Sequence, residues 1–183
     1  MKREDKRMKR KIIIGLVVII VLFTVLLLIS LNKMLYSKYY FGETGVTITV
    51  FNRFQPFEDN RAKTDVSLYD PEIKTYITGR DLPESFWSSG DIKANCDEYM
   101  RMISAMYYDR DIKDVSIDTI KINGVKVGKV SMTAAQMNSS LRATALIFPE
   151  KYKHLVIEIY GDETILTERS NEIDKIIRGI SIN

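Results

Sequence analysis

A long apolar block near the start of the chain gives way to short alternating runs. Ile12 to Leu31 carry no charge, and only Gly15, Thr24 and Ser30 dilute the aliphatics. A helix of this length covers about 30 Å, the thickness of a hydrocarbon core. Beyond it, Val46, Ile48 and Val50 alternate with Thr47 and Thr49, which predicts a half-buried strand over 44–51. The polar run 52–65 predicts a loop, and "EIKTYITG" at 72–79 another strand. Ile92, Cys96, Tyr99, Met100, Ile103, Met106 and Tyr107 recur at three- and four-residue steps. They predict one helix over 90–108, with Ser89 or Asp91 placed to cap it.

The sharpest local signal is "VSIDTIKINGVKVGKVSM". Asn123-Gly124 suits a two-residue hairpin turn, whose positions both need positive φ. The turn predicts that Ile122 faces Val125, Ile120 faces Val127, Ile117 faces Val130 and Val115 faces Met132. The first two pairs point to one face of the sheet and the last two to the other, so the apolar phase flips near Gly128, opposite Thr119. A bulge at Gly128 is the competing reading. "RATALIF" and "HLVIEIY" around "PEKYK" predict a second hairpin, with Gly161 ending its return strand. Leu166, Ile173, Ile176, Ile177 and Ile180 form a closing helical stripe, and Arg178-Gly179 sit where a helix stops.

Two hairpins and two amphipathic helices imply an α+β fold with helices packed on an antiparallel sheet. The organisation read from the chain is a basic cytoplasmic tail (1–11), a transmembrane helix (12–31), a juxtamembrane linker (32–43) and an extracytoplasmic domain (44–183). No Ala-x-Ala pattern and no cysteine directly follow the apolar run, so a retained anchor is favoured over a cleaved export signal.

"IKINGVKVGKVSMTA", "LRATALIFPEKYKHLVIEIYG" and "NEIDKIIRGISI", with the helix before them, resemble the PsbP-like fold over roughly residues 72–182. That group includes an extrinsic photosystem protein, a Ran-binding protein and many bacterial envelope proteins. The resemblance implies an α/β/α sandwich around a central antiparallel sheet, and a binding or assembly role without chemistry. It carries over no site residue.

Charge sets the orientation. Seven basic side chains in residues 1–11 face only Glu4 and Asp5. The more basic flank stays cytoplasmic, so the C-terminal part faces outward. Tyr36, Tyr39, Tyr40 and Phe41 with Lys33 and Lys38 read as an interfacial belt, or alternatively as a first strand of the outer domain. The tail supplies +5 of a net charge of +3, which leaves the remainder at −2. A slightly acidic domain excludes a nucleic-acid role that rests on a basic face.

Little chemistry is visible. His154 is the sole histidine and reads as a solvated strand-end residue, and Cys96 as a small buried hydrophobe. One of each cannot build a zinc cage. Asp109, Asp111 and Asp114 fail the calcium-loop pattern, and Asp81 with Glu84 reads as loop polarity. The expectation is therefore no enzyme, no cofactor and no metal. Phe86 and Trp87 either plug the core edge or form a contact spot. Ile120, Ile122, Val125 and Val127 would make a partner-seeking apolar patch if nothing covers the hairpin tip. The expected partners are the lipid bilayer, through Ile12–Leu31, and a protein of the envelope. The expected role is a membrane-anchored accessory or binding subunit of a bacterial envelope complex. The rival is an assembly factor of a secretion or conjugation apparatus with a cystatin-like domain, which normally places long helices before its sheet.

Overall fold

The computed structural model describes residues 2–58, 66–83, 87, 90–106, 109–136 and 139–183. Two compact units divide the chain, Met1–Ser37 and Lys38–Asn183. The first is helix α1 (Lys2–Leu35), within which Ile14–Leu31 is long and apolar enough to cross a membrane. The side chains of that stretch are exposed throughout.

The second unit is built on a seven-stranded sheet in which every described pair of neighbours is antiparallel. Its strands are β3 (Gln55–Pro56), β4 (Val66–Asp70), β5 (Thr75–Asp81), β6 (Asp111–Ile122), β7 (Val125–Gln136), β8 (Ser139–Ile147) and β9 (Leu155–Asp162). Their order across the sheet is β3-β4-β5-β9-β8-β7-β6. A smaller sheet holds β1 (Tyr36–Tyr40), β2 (Val46–Phe51) and β10 (Ile180–Ile182), in the order β1-β2-β10. Helix α2 (Ile92–Met106) packs on one face of the large sheet through Ile92, Cys96, Tyr99 and Ile103. Asp91 accepts from the Lys93 N–H at its start. The small sheet, α3 (Glu163–Glu168) and α4 (Ser170–Arg178) close the other face over Leu146, Leu155, Ile157 and Ile159.

The central hairpin follows the expected pairing for three of its four pairs: Ile122–Val125, Ile120–Val127 and Ile117–Val130. The flip of faces is real. Ile122 and Val127 enter the larger core, while Val130 and Met132 lie under α2. Gly128 pairs in register with Thr119, so no bulge lies there. The register shifts instead between Lys113 and Ser116, where Asp114 has φ 50°. The Val115–Met132 pair is therefore lost and Val115 is left exposed. Gly128 makes room for the helix instead. A Cβ there would stand 2.4 Å from Cys96 Sγ, so α2 can approach only over a bare backbone.

Other boundaries also differ from expectation. Residues 66–70 are a strand, with Val66, Leu68 and Asp70 inward. Glu72–Lys74 belong to the turn after it, because Asp70 Oδ1 accepts the N–H groups of Glu72 and Ile73. The closing stripe breaks at Arg169 into α3 and α4, and Ile180 joins β10 rather than a helix. There Thr49 N–H donates to the Gly179 carbonyl (2.8 Å), which turns the chain into pairing with β2. Phe41 leaves the expected interfacial belt and is fully buried, because its N–H and C=O are tied to Val46 and Thr44. Tyr36 and Tyr40 remain exposed, and Lys38 Nζ lies over the Tyr40 ring. Ser89 and Tyr107 lie outside the described residues.

Candidate functional site

The corner between β8 and β9 gathers the most chemistry. Phe148 is buried, and its N–H donates to the Leu155 carbonyl at 3.0 Å, which clamps the base of the corner. Pro149 sets an extended backbone and a single 3-10 turn follows, Glu150–Tyr152, closed by Tyr152 N–H on Pro149 O (2.9 Å). The chain then takes two consecutive left-handed residues, Lys153 (φ 54°) and His154 (φ 52°). Neither is glycine, and each such residue is costly.

His154 is not the solvated residue expected of a strand end. It is 8% exposed, and its ring stacks on Trp87 with centroids 5.3 Å apart and planes 24° from parallel. The left-handed turn swings the side chain inward, and the indole covers it. His154 Nδ1 is buried without a hydrogen-bond partner. Leu82, Glu150, Lys151, Lys153 and His154 line a cavity of about 660 Å3, open to solvent. Lys153 Nζ reaches Glu43 at 2.9 Å, and its hydrogen bond and charge hold the Glu43 carboxyl below the usual range. Lys151 Nζ lies over the Tyr152 ring at 4.8 Å.

Trp87 is half-buried and packs against the core cluster that includes α2. Phe86 and Glu84 lie outside the described residues. Ile122 and Val127 are buried, and Ile120 and Val125 pack half-buried against the same core. The small sheet covers them, and Ile182 N–H donates to Asn123 Oδ1 (3.3 Å).

Two polar clusters tie elements together. Glu158 accepts from Thr78 (3.2 Å), Arg80 (2.7 Å) and the Tyr99 hydroxyl, which fastens α2 to the sheet. Burial presses the Arg80 guanidinium toward a lower pKa, but Glu158 and Tyr99 outweigh it and the net direction is up. Arg53, in the turn after β2, joins the fully buried Asp70 at the end of β4, and also Glu72 in the following turn and Glu172 of α4. Both carboxylate centres are already occupied by donors and serve structure. Asp111 is paired with Lys113, and among the described residues no group of three or more His, Cys, Asp or Glu side chains could hold a metal ion. Cys96 is buried and free, and burial, with Asp97 and Asp91 adding, pushes its thiol up to about 11.

The sequence pointed to Trp87 and missed His154 and its two lysines. A buried left-handed histidine has no periodicity signal.

No family model matches the chain, and no curated protein matches it. Solved structures do. Cyanobacterial PsbP (CyanoP) from Synechocystis sp. PCC 6803 matches with a TM-score of 0.58 at 11% identity, over 82% of this chain and 94% of that one. The Ran-binding protein Mog1p from Saccharomyces cerevisiae matches with a TM-score of 0.55 at 12% identity, over 81% and 96% of the two chains. The chain has a PsbP-like fold.

Proposed function

We propose that this PsbP-like domain is an extracytoplasmic, non-enzymatic binding or accessory subunit of a bacterial envelope complex, held in the membrane by α1. One observation carries the reading: the charge-free stretch Ile14–Leu31 of α1, exposed along its length, precedes a domain whose fold is shared with a Ran-binding protein. A helix that is apolar all round and exposed needs lipid or protein around it. Residues 1–11 supply the basic flank that would keep the N-terminus cytoplasmic, with the span at 12–31, a linker at 32–43 and the outer domain at 44–183. Glu158 and Asp70 are held in structural bonds. The fold does not support the cystatin-like rival, because strands precede α2.

The test is crosslinking in intact cells followed by capture of the full chain in mild detergent. A discrete, reproducible envelope partner supports the reading. A chain recovered only as an uncrosslinked monomer, under conditions that crosslink a known envelope complex, contradicts it.

A further inference from the structure

We infer that the cavity at the β8–β9 corner is an oxyanion site that takes a phosphate group, presented by a lipid head or by a soluble phosphate compound. This stands apart from the accessory role and does not depend on it.

Four observations converge. The cavity, at about 660 Å3, has room for a phosphate and part of the molecule that bears it. Its lining includes two lysines, Lys151 and Lys153, and His154, with Glu150 the carboxylate among the described lining residues and Glu43 paired to Lys153. Lysine serves as a point charge for phosphate and turns three donors toward it. The backbone is held in an expensive shape to achieve this: Lys153 and His154 are successive left-handed residues. Such strain persists where the surroundings over-determine it, which marks functional clamps. Finally, His154 is more than nine-tenths buried, stacked on Trp87, and has an unpartnered Nδ1. A buried polar atom without a partner calls for a ligand, ion or water.

Glu43 explains how the site rests when empty. Its carboxylate meets Lys153 Nζ at 2.9 Å while remaining 90% exposed. An exposed pair of this kind is weak and exchangeable. Glu43 therefore stands where one oxygen of an incoming oxyanion would bind, and a phosphate displaces it. A phosphate offers more acceptor oxygens than a carboxylate, so it can bridge both lysines where Glu43 holds one. Leu82 gives the attached body an apolar wall.

The chain is its own reporter, with one histidine and one tryptophan, stacked on each other. The full chain, carrying no histidine tag, is placed in phosphatidylcholine nanodiscs. The His154 imidazole resonances and Trp87 fluorescence are followed while sodium phosphate, acetate or chloride is added at matched ionic strength. A second arm replaces part of the lipid by phosphatidylglycerol, with no phosphate added. A saturable shift with phosphate assigns a soluble source, and a shift on phosphatidylglycerol discs assigns the lipid head; either supports the site. Lys151→Gln, a change on an exposed side chain, weakens the response about tenfold, the loss of one charge-assisted contact. Glu43→Gln tightens it about two- to fivefold by removing the weak internal competitor. The inference is overturned if phosphate behaves as chloride does and phosphatidylglycerol changes nothing. It is equally overturned if acetate saturates at the same concentration, or if Glu43→Gln weakens binding.

Discussion

Replacing Gly128 by alanine puts a methyl group into space that α2 already fills. The added carbon would lie 2.4 Å from Cys96 Sγ, 3.4 Å from Ile92 Cγ2 and 3.5 Å from Ile147 Cβ. Only the sulfur contact is severe, being more than about 1 Å inside an ordinary packing distance. Overpacking of this kind costs about 1–3 kcal/mol, and the stiffer unfolded chain returns about 0.4–1 kcal/mol. Gly128→Ala should therefore destabilise by about 1–2 kcal/mol. Cys96→Ala alone removes a buried sulfur and costs about 1 kcal/mol. In the double variant the new methyl occupies the vacated volume, so stability returns to within about 1 kcal/mol of the parent. The assay is urea unfolding of the full chain in a mild detergent, followed by Trp87, the sole tryptophan. Simple additivity of the two losses, or a neutral Gly128→Ala, would refute the claim that α2 docks through a bare Gly128.

Arg53→Leu should destabilise by about 1–3 kcal/mol in the same assay, since it strips the ion partner from the fully buried Asp70; a loss below about 0.5 kcal/mol would count against that pairing. The carboxyl of Glu172 is held below its usual range by the Lys175 hydrogen bond and by Arg53. Its contribution is therefore complete above the ordinary carboxylate pKa and is lost as pH falls through the depressed value. Melting temperature against pH should fall less steeply on the acid side in Glu172→Gln than in the parent, and parallel curves would contradict this. Cys96, with its thiol raised to about 11, should resist a thiol reagent at a pH of about 7.5 until the domain unfolds; labelling in native buffer at the rate of a free cysteine would place it wrongly.

Much of the fold was legible where a local rule acts alone. The central hairpin could be read because Asn123-Gly124 demands its turn and both residues adopt positive φ, 47° and 80°. The flip of faces could be read because alternation has a period of two and the apolar phase visibly breaks. The error at Val115 came from a bulge at Asp114, a residue type that tolerates left-handed backbone but does not announce it. Strand β4 was missed because "VSLYD" is short and ends in a charged residue. Asp70 is buried only because Arg53, seventeen positions earlier, neutralises it. The same reason hid His154. Its burial depends on Trp87, which the chain order separates from it, and its inward swing depends on a backbone angle that no residue pattern encodes. Pairwise tertiary rescue of polar groups leaves no periodic trace.

The proposed role requires α1 to remain attached and to span a membrane. The decisive measurement is protease treatment of intact cells expressing the full chain with a C-terminal epitope, combined with the mass of the mature chain extracted from the membrane fraction. The account predicts that the epitope-bearing domain is digested from outside, and that the extracted chain retains residues 12–31 and is released only by detergent. A mature chain that begins beyond Leu35 and stays soluble, or an epitope spared in cells yet digested in lysate, would contradict it.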